Sequence, residues 1–185
     1  GRWDRRVGDS SPPWDVGRVQ VYTGDGKGKT TAALGLAVRA AGAGIRVLII
    51  QFAKPSEASE HRALARFAEL ITVRQFGGAS FIVGEPGPED IAAAREGLEL
   101  ARQALASGDP PLVILDEANI AVHFGLFTIE ELLAAIDARA PHVEVIVTGR
   151  RAHPTLVERA DLVTEMREVK HYYDAGVRVR RGIEA

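Results

Sequence analysis

Between Val19 and Ala41 an apolar strand runs into a glycine-rich loop and straight on into a helix, and few folds accommodate that succession. Val19–Tyr22 is a short β-type run, Gly24-Asp-Gly-Lys-Gly-Lys-Thr-Thr31 follows without a break, and Thr30 to Ala41 carries Leu34, Val38 and Ala41 on one helical face. Glycines in such a loop let backbone N–H groups wrap an anion, while the N-terminus of the following helix adds a favourable dipole. Lys29 would neutralise phosphate charge, and the Thr30 hydroxyl would take part in binding Mg²⁺. The plainer reading is a glycine-rich turn with two solvated lysines, which leaves the order strand, loop, Gly-Lys-Thr and helix unexplained. The usual spacing puts a glycine five residues before Gly28, yet that position is Thr23, so the loop counted from Gly24 is one residue short. Phosphates are therefore expected to lie here in an unusual way.

Beyond the loop, Val- and Ile-rich runs alternate with helical patterns. The runs are Val19–Tyr22, Val47–Phe52, Ile71–Phe76, Leu112–Leu115, Val143–Val147 and Asp161–Thr164. They are apolar on both faces rather than alternating, which suits strands covered by helices on each side. Pro88–Ala106 opens with Pro88, Glu89 and Asp90 and closes at Gly108, and Thr128 with Glu131 forms a capping box ahead of Leu132, Leu133 and Ile136. This alternation predicts an α/β fold: a mostly parallel sheet with helices on both faces. At 185 residues the chain makes about one domain. Residues 18–185 are assigned to it, and 1–17, with mixed charges and Pro12-Pro13, read as a loosely ordered N-terminal arm. Trp3 and Trp14 in that arm are expected to pack locally or on a partner subunit.

Charge and composition narrow the function. Lys plus Arg number 23 against 25 Asp plus Glu, a net charge of −2, so no bulk field calls for nucleic acid or an anionic membrane. The apolar runs fall far short of the roughly 20 residues of a spanning helix, and zero cysteines fit a reducing, cytoplasmic setting. Leu112–Leu115 ends in Asp116-Glu117, which puts two carboxylates at the carboxyl edge of the sheet, where ligands bind in open α/β folds. Read alone, the pair could simply cap the next segment; read with the loop, it supplies the acids that hold Mg²⁺, a cation satisfied by a hydroxyl and one or two carboxylates. The five histidines, His61, His123, His142, His153 and His171, include no pair four residues apart, which argues against a histidine metal site. Arg150 ends a strand, placed either to contact phosphate or to make a surface ion pair.

Composition and periodicity stop at a nucleotide enzyme. The longer blocks are more specific: Tyr22-Thr-Gly-Asp-Gly-Lys-Gly-Lys-Thr-Thr-Ala-Ala33, Ile50-Gln-Phe52, Leu115-Asp-Glu117, Thr148-Gly-Arg150, Ala160-Asp-Leu-Val-Thr-Glu-Met166, Lys170-His171 and Gly182-Ile-Glu184. In that order they closely resemble the P-loop ATP:corrinoid adenosyltransferases of the CobA/BtuR/CobO type, from about Arg18 to Ala185. The resemblance implies a P-loop NTPase-like domain that moves the 5′-deoxyadenosyl group of ATP to a reduced, Co(I) corrinoid and releases tripolyphosphate. It further implies ATP bound in the reverse sense, in accord with the short loop. Gly24, Asp25, Gly26, Lys27, Gly28, Lys29, Thr30 and Thr31 would hold the triphosphate, with Mg²⁺ on Thr30, Asp116 and Glu117. Phe81, Val83 and Arg150 would meet the corrinoid: Phe81 matches the first residue of a family aromatic pair that displaces a lower cobalt ligand, while Val83 stands where a Trp is expected. An external flavoprotein reductant and a homodimer are implied as well. The competing readings are a P-loop ATPase or kinase, which would release ADP, and a nucleotide-gated corrinoid carrier without turnover.

Overall fold

In the computed structural model, residues 11–52, 59–77 and 84–184 are described, so Phe81, Val83 and Trp3 lie outside the described residues. Six strands form one sheet: β1 (Val19–Thr23), β2 (Val47–Gln51), β3 (Ile71–Gln75), β4 (Leu112–Asp116), β5 (Glu144–Thr148) and β6 (Leu162–Glu165). Their spatial order is β3-β2-β4-β5-β1-β6, and every neighbouring pair is parallel. The helices between them are α1 (Lys29–Gly42), α2 (Ser59–Leu64), α3 (Pro88–Ser107), α4 (Ala118–His123), α5 (Ile129–Asp137) and α6 (Pro154–Arg159). Strand and helix bounds fall within a residue or two of those read from periodicity. Among the described residues no helix is long and apolar enough to cross a membrane.

Successive strand residues point to opposite sides of a sheet, and here each side has its own core. Val47, Ile49, Leu112, Ile114, Ile146 and Ile71 face α1 and Leu64 of α2. Their neighbours Leu48, Ile50, Val113, Leu115, Val145 and Val147 face the side built on α3, α4, α5 and α6. This is why the strands read as continuous apolar runs. Helix α1 contributes small residues to its core, Ala33, Ala37, Ala40 and Ala41, so its axis can lie close to the sheet.

The core-facing rows change character at the carboxyl edge. On the α1 side the sequence Val47, Ile49 is followed by Gln51; Ile71, Val73 by Gln75; Leu112, Ile114 by Asp116; and Ile146 by Thr148. Parallel pairing keeps Gln51 level with both Gln75 and Asp116. One polar line therefore crosses the sheet at the end from which the glycine loop emerges. Local caps fix the helices below it: Thr128 and Glu131 make the reciprocal capping box read from the sequence, and Asp90 accepts from the Gly87 N–H at 3.0 Å. Trp14 reaches a part of the chain distant in sequence, its indole N–H donating to the His142 carbonyl at 2.5 Å.

Helix α3 approaches β2 and β3 through Gly97, where an added Cβ would lie 2.8 Å from Phe52 Cε1 and 3.0 Å from Phe76 Cβ. Phe52 is fully buried and edge-on to Phe127, with ring centroids 5.2 Å apart, so it has nowhere to go. Replacing a mid-helix glycine by alanine ordinarily gains about 0.5–1 kcal/mol, whereas overpacking of this kind costs about 1–3 kcal/mol. Gly97→Ala is expected to lower the denaturation midpoint with an unchanged m-value in a urea titration.

Candidate nucleotide site

The loop between β1 and α1 is shaped by the segment that leaves β6. Gly24 has φ of +97°, and a Cβ there would lie 2.4 Å from the Met166 carbonyl oxygen; at Gly26 the same oxygen would be 2.7 Å away. Instead, the Gly26 N–H donates to the Met166 carbonyl at 2.7 Å and the Met166 N–H donates to the Thr23 carbonyl at 2.8 Å. The loop thus lies against a second stretch of backbone, and glycine is demanded at both positions by contact and at Gly24 by φ as well. Where the usual spacing has a glycine, Thr23 sits in β1, its hydroxyl accepting from the Ala152 N–H at 3.2 Å.

Lys29 opens α1 and is buried, its ammonium donating to the Gly26 carbonyl at 2.7 Å. Burial first, and then the Arg150 guanidinium, push its pKa below the ordinary lysine value, against the pull of Glu117 and Asp25. Arg150 therefore belongs to the same cleft as the loop. That cleft has a volume of about 740 Å³ and is walled by residues 25–31, by Glu117 and Ile120, by Arg150 and Arg151, and by Glu168, His171 and Glu184 from the end of the chain.

The two acids after β4 take different positions. Asp116 is 3% exposed and its oxygens are engaged: Oδ1 accepts from Thr30 Oγ1 at 2.9 Å and Thr148 Oγ1 at 2.6 Å, and Oδ2 from Gln51 Nε2 at 3.1 Å. Burial raises its pKa, and the bonds from Thr148, Thr30 and Gln51 oppose the rise. Glu117 has φ of +62° and turns into the cleft, its N–H donating to Thr148 Oγ1 at 3.1 Å. Of the three residues expected to hold a cation, Thr30 and Glu117 reach the cleft, whereas Asp116 is set back and orients the Thr30 hydroxyl, leaving that oxygen's lone pairs directed elsewhere.

Several participants carried no assigned role in the sequence. Met166 acts through backbone atoms, for which no side-chain pattern exists. The Gln51 side-chain oxygen Oε1 meets His61 Nε2 at 2.7 Å and Gln75 Nε2 at 3.2 Å, extending the Asp116 line to β3 and α2. The parity of polar residues at the third core-facing position of each strand is the signal that reveals this line. Arg151, at φ of +56°, sits 2.8 Å from His123 Nε2 across the cleft rim. The other histidines are also engaged: His142 at the Gly108 carbonyl, 2.7 Å, and His153 and His171 as acceptors for the Thr155 and Tyr173 N–H groups two residues on at 3.2 and 3.0 Å.

A parallel α/β sheet with a glycine-rich loop running from one strand into a helix, and a buried aspartate gripping the threonine of that helix from another strand, is the arrangement of a P-loop NTPase-like fold. The chain belongs to the ATP:corrinoid adenosyltransferase family BtuR/CobO/CobP, whose model matches residues 15–185. It is similar to a corrinoid adenosyltransferase of Pseudomonas aeruginosa, 39% identical over 169 residues that span 91% of this chain and 83% of the relative. A corrinoid adenosyltransferase of Escherichia coli K12 is 38% identical over 98% of this chain and 91% of its own length. The corrinoid adenosyltransferase CobA of Salmonella typhimurium is 36% identical over 99% of this chain and 92% of its own.

The raised pKa of Asp116 means that its protonated form suits the folded state better than the unfolded one. Its contribution to stability is present at low pH and is lost as pH rises through the folded-state pKa. In buffer free of Mg²⁺ and nucleotide, Asp116→Asn is expected to be more stable than the parent at pH 8. The difference should close as the pH falls below 4, read from urea midpoints across the range. A parent that gains stability as pH rises while the variant does not would contradict this sign.

Proposed function

We propose that this enzyme transfers the 5′-deoxyadenosyl group of ATP to a Co(I) corrinoid and releases tripolyphosphate. The observation that carries the reading is the pairing of buried Lys29 with Arg150 beside the glycine loop. A lysine whose charged form is disfavoured by burial and by a neighbouring guanidinium is relieved by a polyanion, and the triphosphate of ATP is the polyanion the family's substrate supplies. The short loop, braced by Met166 where a longer one would curl, supports a chain of phosphates lying in the reverse sense, with the ribose C5′ toward the corrinoid.

In the displacement the electron pair of Co(I) forms the cobalt–carbon bond at C5′. The C5′–O bond breaks, and its pair leaves on tripolyphosphate. No protein base is required for this exchange. The work of the protein is alignment and stabilisation of the leaving charge, which are large terms in catalysis of this kind. Gly24, Gly26 and Gly28 let the backbone approach the phosphates, with Asp25 and Thr31 completing the loop, and Lys27 and Lys29 offset their charge. Thr30 and Glu117 are hard oxygen donors suited to Mg²⁺, with Asp116 behind them holding the threonine hydroxyl. Bound there, Mg²⁺ would supply additional neutralisation of the polyphosphate.

On the corrinoid side we assign Phe81 and Val83, which lie outside the described residues, as the apolar wedge beneath the ring, and Arg150 at its boundary with the phosphates. Reduction of Co(II) to Co(I) is assigned to an external flavoprotein, since the chain has no cysteine with which to build a thiol redox centre. The same reading takes the working unit to be a homodimer in the cytoplasm.

Anaerobic incubation with chemically reduced cobalamin and Mg·ATP is expected to give a cobalt–carbon absorption spectrum and stoichiometric tripolyphosphate. An ATP analogue with a non-hydrolysable β–γ bridge should serve as a donor too, since that bond stays intact. Normal binding of the analogue without transfer, or ADP as the product, would return the enzyme to phosphoryl transfer.

Lys29→Ala removes a buried charge contact to the leaving group and should lower kcat/KM by about 10²–10³-fold, while far-UV circular dichroism stays that of the parent. Turnover equal to the parent's would remove Lys29 from the site.

A further inference from the structure

The chain beyond β6 returns to the loop it left. Met166 lies against Gly24 and Gly26, Glu168 and His171 join the cleft wall, and a short turn at Tyr172–Ala175 sends the backbone round. Ile183 and Glu184 then come back beside Lys27: the Ile183 carbonyl accepts from the Lys27 ammonium at 3.2 Å, and Glu184 lines the cleft. One carboxylate fastens this return. Glu184 accepts from the Tyr172 hydroxyl, from the Arg180 N–H at 2.8 Å and from Arg180 Nη2 at 2.9 Å, while the Arg180 guanidinium lies 4.9 Å from the centroid of the Tyr172 ring.

The cluster is tight for a terminal segment. The Glu184 side chain is 15% exposed, and Arg180 first, then Tyr172, hold its carboxyl down to about 2, so it stays ionised at any working pH. An acid facing a polyanion would ordinarily oppose binding. Here its charge is balanced by Arg180, and what remains for the cleft is a fixed carbonyl one residue earlier. Lys27 is exposed on a flexible four-carbon stem, and an ammonium has three N–H donors. The bond to Ile183 uses one and leaves two directed by it.

We propose that Glu184 is a positioning residue for nucleotide binding: it latches residues 172–184 over the phosphate loop, so that the Ile183 carbonyl holds the Lys27 ammonium where it meets the triphosphate. The inference rests on the triphosphate reading of the loop and adds to it a role for the end of the chain. Glu184 touches no reacting atom. It acts through Lys27.

The test uses the full chain and inorganic tripolyphosphate with Mg²⁺ as the probe, measured by calorimetry, so that it does not depend on adenosyl transfer. Glu184→Ala should weaken tripolyphosphate binding by about tenfold, the scale of a lost charge-assisted contact. In a Lys27→Ala background the same change should cost less than about twofold, because no ammonium is left to hold. In turnover the loss should fall on KM for ATP rather than on kcat. If Glu184→Ala does not fold, Tyr172→Phe removes one bond to the latch and should show a smaller loss with the same dependence on Lys27. Unchanged affinity, or an equal loss in both backgrounds, overturns the latch. Failure of the parent to transfer adenosyl while the tripolyphosphate cycle behaves as stated would overturn the proposed reaction and leave the latch standing. A parent that binds no tripolyphosphate overturns both.

Discussion

The carboxylate of Asp116 is the point on which the site depends. A charge that is 3% exposed is costly unless its lone pairs are occupied, and three donors from three elements occupy them: Thr30 from α1, Thr148 from β5 and Gln51 from β2. Each bond also positions its donor. The first helical turn, and with it Lys29, is tied to the sheet edge; Thr148 in turn receives the N–H of Glu117 and supports its left-handed backbone. The energetic cost of keeping an ion there is met by geometry shared among four parts of the chain, which explains why a buried acid is retained where an amide would be more comfortable.

Much of the fold was legible because burial on both sheet faces leaves a plain mark in sequence. Val47–Gln51 and Leu112–Asp116 could hardly be anything but central strands, and both are. The loop, with Lys29 and Thr30, was legible for a different reason: few other contexts place glycines, a lysine and a threonine between a strand and a helix. The brace at Met166 was not, since its N–H and C=O would do the same service from any residue. Nor was the setting of Asp116 behind Thr30, because adjacent acids at a strand end differ in burial only by the parity of the pleat: Asp116 faces the α1 side, and Glu117 lies beyond the strand in a left-handed turn. Arg150 was left between an anion and a surface pair by sequence; its proximity to Lys29 is a tertiary fact, produced by β5 lying between β4 and β1.

The cleft is assembled from parts distant in sequence but neighbouring in sheet order. β4, β5 and β1 deliver Glu117, Arg150 and the glycine loop side by side, and the chain beyond β6 supplies the far wall. The opposite half of the edge, where β2 and β3 end in Gln51 and Gln75, is joined to the cleft through the Gln51 amide. Fixing that amide in one orientation makes the two halves of the edge a single polar unit.

Helix α1 rests on the sheet through Ala33, Ala37, Ala40 and Ala41, and its amino end joins the glycine loop. The thickness of that layer is therefore set by methyl groups. Ala37 is fully buried and lies about 12 Å along the axis from Lys29, at 1.5 Å per residue. A bulkier side chain at that point would act as a shim, tilting the helix and lifting its lysine and threonine away from Asp116. The alignment of the glycine loop is thus governed partly by side-chain volume two turns away.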